Sequence, residues 1–314
     1  MTKKVLTVGE ILVEIVATTQ GDGFLEPQPL VGPFPSGAPA IFIDQVGRLG
    51  TAAAIISRVG DDDFGRLNLD RLAADGVDVS GVEVATGETT GSAFVRYRPD
   101  GSRSFVFNIA HSATGTLALT PESEALMAAC DHVHVMGTAL SAPGLAHVAR
   151  EAIARVKARG GTLSFDPNLR PEILDAPGLR DALDEVLAQC DLFLPSGEEI
   201  FLFTVAQDED AAVAELLARG VTEIVIKRGS QGASHVGRAG RTDVAALCVQ
   251  EVDPTGAGDC FGGAFVSFWL AGATALTSLR YANAAGAHAV TEVGPMEGAA
   301  TRRQLDALLE QQRG

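Results

Sequence analysis

The chain has 314 residues, with 24 basic and 40 acidic side chains and a formal net charge of −16. This acidic balance excludes nucleic acid and an anionic membrane as main partners, because phosphate groups are bound by clustered Lys and Arg. A hydrophobic share of 46% excludes wholesale disorder, and the length fits one large α/β domain or two ordinary ones.

The cysteines and the apolar stretches indicate where the protein works. Four cysteines lie far apart without a Cys-x-x-Cys pair, which disfavours disulfides and structural zinc and predicts a cytoplasmic location. The apolar start, Met1–Ala17, lacks a small-residue cleavage site and predicts a buried strand rather than a signal peptide. Cys260–Leu279 is uncharged and long enough for a membrane span, but its Gly, Ser and Thr content favours a buried helix that ends at Gly272.

Short apolar runs alternate along the chain with amphipathic Ala/Leu-rich stretches. The runs predict strands at Val5–Val8, Ala54–Val59, His132–Met136, Thr162–Phe165, Leu192–Leu194 and Glu223–Ile226. The amphipathic stretches predict helices at Ala38–Leu49, Phe64–Asp75, Ala142–Ala158, Leu179–Ala188 and Asp208–Ala218. This alternation is typical of a mostly parallel sheet with helices on both faces.

Two segments interrupt this alternation. Glu10–Pro35 and Thr89–Ser112 have the alternating pattern of open antiparallel strands, and Pro99-Asp100-Gly101 predicts a hairpin turn in the second. Both leave the main sheet and return near the same place. We therefore predict one small β layer over the edge of the sheet, which serves as a lid.

The strongest chemical signal is the segment Asp253-Pro-Thr-Gly-Ala-Gly-Asp259 before the uncharged helix. Its glycines allow a sharp turn that exposes backbone N–H groups, and a helix N-terminus favours an anion. A carboxylate among these amides is placed to take a proton from a hydroxyl during phosphoryl transfer. On spacing alone, a tight turn with a capping Asp259 is an equal alternative. A Walker loop and a dinucleotide fingerprint are both absent from the sequence.

Asp253–Asp259 also resembles the C-terminal signature of the ribokinase-like (PfkB) carbohydrate kinases. Four further stretches agree in order and spacing: Ser36–Ala40 with Arg48–Gly50, Val59–Gly65, Asp166–Arg170 and Lys227–Gly232. The resemblance implies a three-layer α/β/α fold with a mostly parallel central sheet and a small β-sheet lid. It implies one domain over residues 1–314, with lid segments at about 10–35 and 89–112 and a nucleotide-binding half at about 190–314.

The same resemblance implies roles for individual residues. Asp259 is then the base that deprotonates the sugar hydroxyl, and the amides of Gly256, Ala257 and Gly258 form the anion hole. The implied nucleotide-binding residues are Lys227, Gly229, Gly232, Asn283 and Ser196. The implied sugar-binding residues are Gly37, Glu14 and Asp259. Asn108 and His111 in the returning lid strand, and Arg170 after a predicted strand, are further candidates from their positions, with a plain turn residue as the alternative for His111. The implied cofactors are ATP and Mg²⁺, with a monovalent cation as a further candidate, and the implied assembly is a homodimer through the lid.

One position departs from the family pattern around the metal. Family members usually carry Asn-x-x-Glu after the fifth strand, and the acid organises Mg²⁺ through water. This chain has Ser196 in the place of the Asn and keeps the acid as Glu199. The resemblance therefore implies a water-mediated metal contact at Glu199, whereas the residue alone is better explained as a solvated acid at a helix start.

The lid sequence bears on the identity of the sugar. Relatives that act on 2-keto-3-deoxygluconate usually place an Arg in the returning lid strand, where this chain has Ile109. Since loss of a charge-assisted contact costs about 1.5–3 kcal/mol, a neutral ketohexose such as tagatose or fructose is favoured, with the sugar acid as alternative. Arg170 is expected to steer a phosphate or carboxylate, or else to pair with Glu172 or Asp175. A non-catalytic sugar- or nucleotide-binding regulator is the alternative of another class.

Three further side chains have both a chemical and a structural explanation. His132 and His134 share a strand face and suggest a metal pair, but without a third ligand two structural histidines are favoured. Cys260 follows the expected base at a helix start, which could lower its pKa, although a small core residue is the better explanation.

Overall fold

The computed structural model describes residues 3–169 and 178–312. Within these ranges thirteen strands form two sheets. The strands are β1 (Val5–Val8), β2 (Leu12–Ala17), β3 (Leu30–Ser36), β4 (Ala53–Gly60), β5 (Val77–Ala85), β6 (Gly91–Tyr97), β7 (Arg103–Asn108), β8 (His132–Met136), β9 (Thr162–Asp166), β10 (Leu192–Phe193), β11 (Glu223–Lys227), β12 (Ala233–Gly237) and β13 (Gly240–Val244).

The larger sheet is mostly parallel. Its order is β13-β12-β11-β10-β9-β8-β1-β4-β5, and every pairing from β11 to β5 is parallel, whereas β12 and β13 form an antiparallel hairpin at the edge. All residues of β1 and β8 are buried, as expected for strands covered on both faces.

Helices cover both faces of this sheet. They are α1 (Ala38–Arg48), α2 (Asp63–Ala74), α3 (Pro121–Ala129), α4 (Pro143–Ala158), α5 (Leu179–Leu187), α6 (Glu209–Ala218), α7 (Ala257–Leu270), α8 (Ala275–Ala289) and α9 (Arg302–Gln311). Successive residues of β8 point to opposite cores: Val135 packs in the cluster that contains α4 and α5, and Met136 in the cluster that contains α1 and α7. The predicted three-layer α/β/α fold is confirmed.

The first part of the uncharged stretch Cys260–Leu279 belongs to a core helix, as predicted. α7 is buried from Asp259 to Phe268, and the chain turns at Gly272 with a φ of 78°. In the part of the chain that the structure describes, no helix combines the length and the apolar character that crossing a membrane requires.

The smaller sheet is the predicted lid, but its centre differs from the prediction. Its order is β3-β2-β6-β7, and β6 and β7 form the expected hairpin, with Val95 opposite Phe105. The two central strands, β2 and β6, pair in parallel, so the expectation of antiparallel strands is wrong for this pair. The reason is topological: both follow parallel strands of the main sheet, β1 and β5, and therefore leave the same edge in the same direction.

The two histidines of β8 are structural. His132 is buried and its ring nitrogens lie 2.8 Å from Thr162 Oγ1 and 2.7 Å from Ser164 Oγ. His134 is also buried, shares the Ser164 hydroxyl and stacks on the Phe42 ring. Among the described residues no group of three or more His, Cys, Asp or Glu is placed to hold a metal.

These histidines predict a loss of stability in mild acid. Burial lowers the pKa of His132 to about 3, so between that value and the ordinary 6.5 only the unfolded chain binds its proton. Stability therefore falls as the pH drops through this window, by up to about 1.4 kcal/mol per pH unit for each such histidine. We expect His132→Gln to reduce the slope of the urea-unfolding free energy between pH 6 and 4. An unchanged slope would show that other groups carry the acid sensitivity.

Candidate active site

The glycine loop, Asp253–Asp259, turns sharply into α7. Gly256 precedes the helix with a φ of 80°, which an L side chain rarely adopts, and a Cβ there would collide with the carbonyl oxygen of Pro295. Ala257 and Gly258 then form the first turn, where backbone N–H groups have no partner within a helix. The loop thus directs N–H groups and the positive end of a 14-residue helix to one place.

Asp259 lies in this first turn, is 5% exposed and lines a cavity between the main sheet and the lid. Its Oδ1 accepts a 2.7 Å hydrogen bond from Nδ2 of Asn168. Asn168 has a φ of 41°, a conformation that Asn tolerates better than most residues, and its N–H donates to Asp166 Oδ1 at 3.1 Å. A turn after β9 therefore orients the Asp259 carboxylate.

Asp166 also connects this turn to Lys227. The Lys227 ammonium donates to Asp166 Oδ2, and both side chains are buried. Burial alone would lower the pKa of Lys227, but the carboxylates of Asp166 and Glu199 outweigh it and raise this pKa. The Lys227 Nζ lies 3.8 Å from where a Cβ of Gly258 would be, so a positive charge stands at the edge of the amide loop.

The cavity beside Asp259 has a volume of about 220 Å³ and combines an apolar wall with a polar floor. Its polar lining residues are Glu10, Glu14, Ser36, Arg103, His111, Thr138, Ser141, Asn168, Thr255 and Asp259. Gly37 and Gly256 line it through their backbone. A sugar needs this kind of lining, because its ring faces are apolar and its edge carries hydroxyls.

The lid supplies the apolar wall. Phe105, Phe107 and Ile109 line the cavity, so an apolar side chain occupies the position where the sugar-acid kinases usually carry Arg. His111, a predicted sugar-binding residue, also lines it. Asn108 is not among the lining residues, contrary to the prediction, because residues of a strand alternate between faces and its neighbours Phe107 and Ile109 take the cavity side.

Two further predicted sugar-binding residues, Gly37 and Glu14, also line the cavity. Gly37 precedes α1 with a φ of 112°, and a Cβ there would collide with the carbonyl oxygen of Glu10, so the backbone closely approaches the segment that leads into β2. Glu14, on β2, is 5% exposed and accepts a 3.4 Å hydrogen bond from the Ser36 hydroxyl. Arg170 lies outside the described residues.

An open groove of about 560 Å³ lies on the other side of Lys227. Ser196 and Gly229 line it together with Lys227, as expected of a nucleotide site. Gly232 and Asn283 are not among its lining residues. Asn283 donates its amide hydrogens to the carbonyl oxygens of residues 244 and 245, and a Cβ on Gly232 would collide with the same segment. Asn283 and Gly232 therefore position the chain beyond β13. The resemblance implies instead that both residues contact the nucleotide directly.

The Glu199 carboxylate is held by two backbone N–H groups rather than left to solvent. Its Oε1 accepts the N–H of Leu169 at 2.9 Å and its Oε2 the N–H of Ser196 at 2.7 Å. Burial raises the pKa of Glu199, and the nearby Asp166 charge adds to the effect. Each oxygen retains a second lone pair, so the carboxylate fits a metal-bound water. Mg²⁺ keeps several waters and takes few protein ligands, so this donor set fits nucleotide-bound Mg²⁺.

Several residues of the site lie outside the sequence-based prediction. Asn168 and Arg103 are the most important: the first holds Asp259, and the second extends from the lid to within 3.3 Å of Thr255 Oγ1. Asn168 had a detectable signal, since Asp-Pro-Asn follows a predicted strand, whereas Arg103 is one of several charged residues near a turn. Cys260 is fully buried, and burial raises the pKa of its thiol, in agreement with a core residue.

Comparisons with known proteins agree with this geometry. The sequence model of the pfkB family of carbohydrate kinases matches residues 2–302. Fructokinase-1 of Zea mays is 32% identical, over 98% of this chain and 97% of its own length. The 2-dehydro-3-deoxygluconokinase of Thermoproteus tenax is 31% identical, over 97% and 94% of the two chains.

Solved structures extend the likeness to three dimensions. A crystal structure of a provisionally named ribokinase II from E. coli, in complex with ATP and Mg²⁺, is 47% identical. The match covers 98% of this chain and 99% of that chain, with a TM-score of 0.92. The chain described here belongs to the pfkB family of carbohydrate kinases.

Proposed function

We propose that this protein transfers the γ-phosphoryl group of ATP to a hydroxyl of a ketose sugar. The observation that carries this proposal is the Asp259 carboxylate, held by the Asn168 amide at the N-terminus of α7 and facing the cavity beneath the lid. A base, an anion-binding helix start and a sugar-sized cavity meet there, which phosphoryl transfer to a hydroxyl requires.

In the proposed reaction the sugar hydroxyl oxygen forms a bond to the γ-phosphorus, and the bond from that phosphorus to the oxygen bridging to the β-phosphate breaks. The hydroxyl proton passes to Asp259, and ADP leaves with the bridging oxygen. Asn168 keeps the carboxylate aimed at the hydroxyl. The N–H groups of residues 256–258 stabilise the negative charge on the phosphoryl oxygens.

The nucleotide is proposed to lie in the groove lined by Ser196, Lys227 and Gly229. Lys227 would neutralise phosphate charge beside Gly258, and Glu199 would hold Mg²⁺ through a water. The E. coli neighbour solved with ATP and Mg²⁺ supports the choice of cofactors. Mg²⁺ supplies charge neutralisation of the phosphates when bound.

For the acceptor we favour a neutral ketohexose, fructose or tagatose. The apolar Ile109 in the lid wall and the similarity to a fructokinase support this choice. A second candidate, 2-keto-3-deoxygluconate, is favoured by a different observation: the Arg103 side chain adds a positive charge to the lining of the cavity. The similarity to a 2-dehydro-3-deoxygluconokinase agrees with this alternative.

A panel of ketoses, aldoses and keto-sugar acids in a coupled ADP-release assay with Mg²⁺ tests the proposal. We expect the highest kcat/KM with a ketohexose, and we expect Arg103→Gln to leave the KM for that sugar nearly unchanged. If an acid is used, Arg103→Gln should raise its KM by one to two decades, since a charge-assisted hydrogen bond is lost. Arg98→Gln is the matched control, because Arg98 pairs with Asp22 at an exposed end of the lid.

The outcomes separate the candidates. The highest kcat/KM with an acid, lowered by one to two decades in Arg103→Gln through a higher KM, would replace the ketohexose by the sugar acid. Absence of ADP release with every acceptor would favour the non-catalytic regulator.

The homodimer, the monovalent cation and the cytoplasmic location stay predictions. A lid-mediated dimer is supported by apolar side chains exposed on lid strands, Leu30, Val31 and Val106.

A further inference from the structure

The turn that leads into α7 is held by one buried carboxylate. Asp253 is 4% exposed, and its Oδ1 accepts the N–H of Thr255 at 3.0 Å. Its Oδ2 accepts the N–H of Gly294 at 3.1 Å, so the carboxylate joins two chain segments. Gly256 follows directly, and the direction of its N–H group depends on how this turn is held.

The lid contributes a third bond to the same carboxylate. The Tyr97 hydroxyl donates to Asp253 Oδ1 at 2.6 Å and lies 3.2 Å from Thr255 Oγ1. Arg103 is the cross-strand partner of Tyr97 in the lid hairpin, and its Nη1 donates to the same Thr255 oxygen at 3.3 Å. Two paired lid side chains thus bond to the glycine loop.

The bond between Tyr97 and Asp253 joins a neutral donor to a charged acceptor. Burial and the adjacent Asp253 charge raise the pKa of Tyr97 well above its usual value, so the hydroxyl keeps its proton. Burial alone would raise the pKa of Asp253, but the hydrogen bonds from Tyr97 and Thr255 hold it below the usual range. A short bond of this kind is stronger than one between neutral groups.

We propose that Tyr97 is a positioning residue for phosphoryl transfer. Its hydroxyl, acting through Asp253 and Thr255, fixes the turn that directs the amides of the glycine loop, and it makes this geometry depend on the lid. Tyr97 is not itself among the residues that line the sugar cavity. The inference rests on the proposed kinase function, since it assigns a role in that reaction, but the contact itself can be tested without turnover.

Tyr97→Phe removes the hydroxyl and keeps the ring. We expect kcat to fall about ten- to a hundredfold, the scale for a lost hydrogen bond to a charged group, with the KM for the acceptor within threefold of wild type. Tyr281→Phe is the matched control: Tyr281 is the other tyrosine of the chain, and its hydroxyl bonds to Asp306 on α9. We expect its kcat to be unchanged.

Variants of Thr255 test whether Tyr97 influences kcat through the turn at Asp253 and Thr255. Thr255→Ser keeps the oxygen that Tyr97 and Arg103 approach, whereas Thr255→Val removes it at similar size. If Tyr97 acts through this turn, Thr255→Ser should retain most of kcat, and Tyr97→Phe combined with Thr255→Val should cost less than the product of the single effects.

Hydrogen exchange gives a readout that needs no catalysis. We expect the amides of residues 253–259 to exchange faster in Tyr97→Phe than in wild type, and those of residues 277–285 on α8 to be unaffected. Unchanged exchange at 253–259, or an unchanged kcat, would overturn the proposal, as would a loss of kcat/KM carried wholly by the acceptor KM. A wild-type protein without kinase activity but with the exchange difference would refute the proposed function and retain the contact between lid and loop.

Discussion

Asp259→Asn should lower kcat by two to four decades, the usual scale for the loss of a general base. An amide has no basic oxygen to accept the hydroxyl proton, while it fills the same space. The amide oxygen of the variant side chain can still accept the hydrogen bond from Asn168, so we expect the melting temperature to stay close to wild type. The coupled ADP-release assay at saturating ATP and acceptor measures the effect.

The control for this variant is Asp63→Asn. Asp63 also stands in the first turn of a helix, α2, but it is exposed and does not line the cavity, so this change removes the same charge from the first turn of another helix. We expect normal turnover from it. Near-normal turnover of Asp259→Asn would remove Asp259 from the role of base, and an equal loss in both variants would point to an effect on helix stability.

The main sheet and most of its helices are predictable from the sequence because their residues obey simple periodicities. Strands such as β1 and β8 are continuous apolar runs, and helices such as α4 end at glycine. β5 was not predicted, since buried residues recur only every fourth position and Asp78 and Glu83 interrupt the apolar pattern. The hairpin of β12 and β13 was missed because its polar outer strand is mostly exposed.

The site is predictable in part for a similar reason. Residues of one segment, such as Gly256 and Asp259, can be read from local spacing, because a glycine turn before an apolar helix has a direct geometric meaning. Contacts between distant segments cannot be read from local spacing. Asn168 reaches Asp259 only because β9 ends beside α7, and Arg103 reaches the glycine loop only because the lid folds over it. Asn108 is a further example. Neighbouring residues of a strand point to opposite faces, and the sequence alone does not show which of them faces the cavity.

The buried ion pair predicts a large loss of stability in Lys227→Met. Asp166 is fully buried, and its partner ammonium is 8% exposed. Removal of one member of a buried pair leaves an uncompensated charge and typically costs about 3–5 kcal/mol. We expect a decrease of this size in the unfolding free energy from urea titration, together with weaker ATP binding. Part of the stability should return in the double variant Asp166→Asn with Lys227→Met, because the uncompensated charge is then removed.

Lys157→Met is the matched control for this loss. Lys157 pairs with Asp191 at 2.7 Å, but the side chains are 30% and 25% exposed, so water screens the pair. An exposed pair contributes about 0–1 kcal/mol, and the control should lose no more than that. An equally small loss in Lys227→Met would mean that the lone Asp166 carboxylate is hydrated at little cost. In that case the ammonium at the edge of the glycine loop would be kept for the nucleotide rather than for the fold, and the loss of ATP affinity in the same variant should exceed its loss of stability.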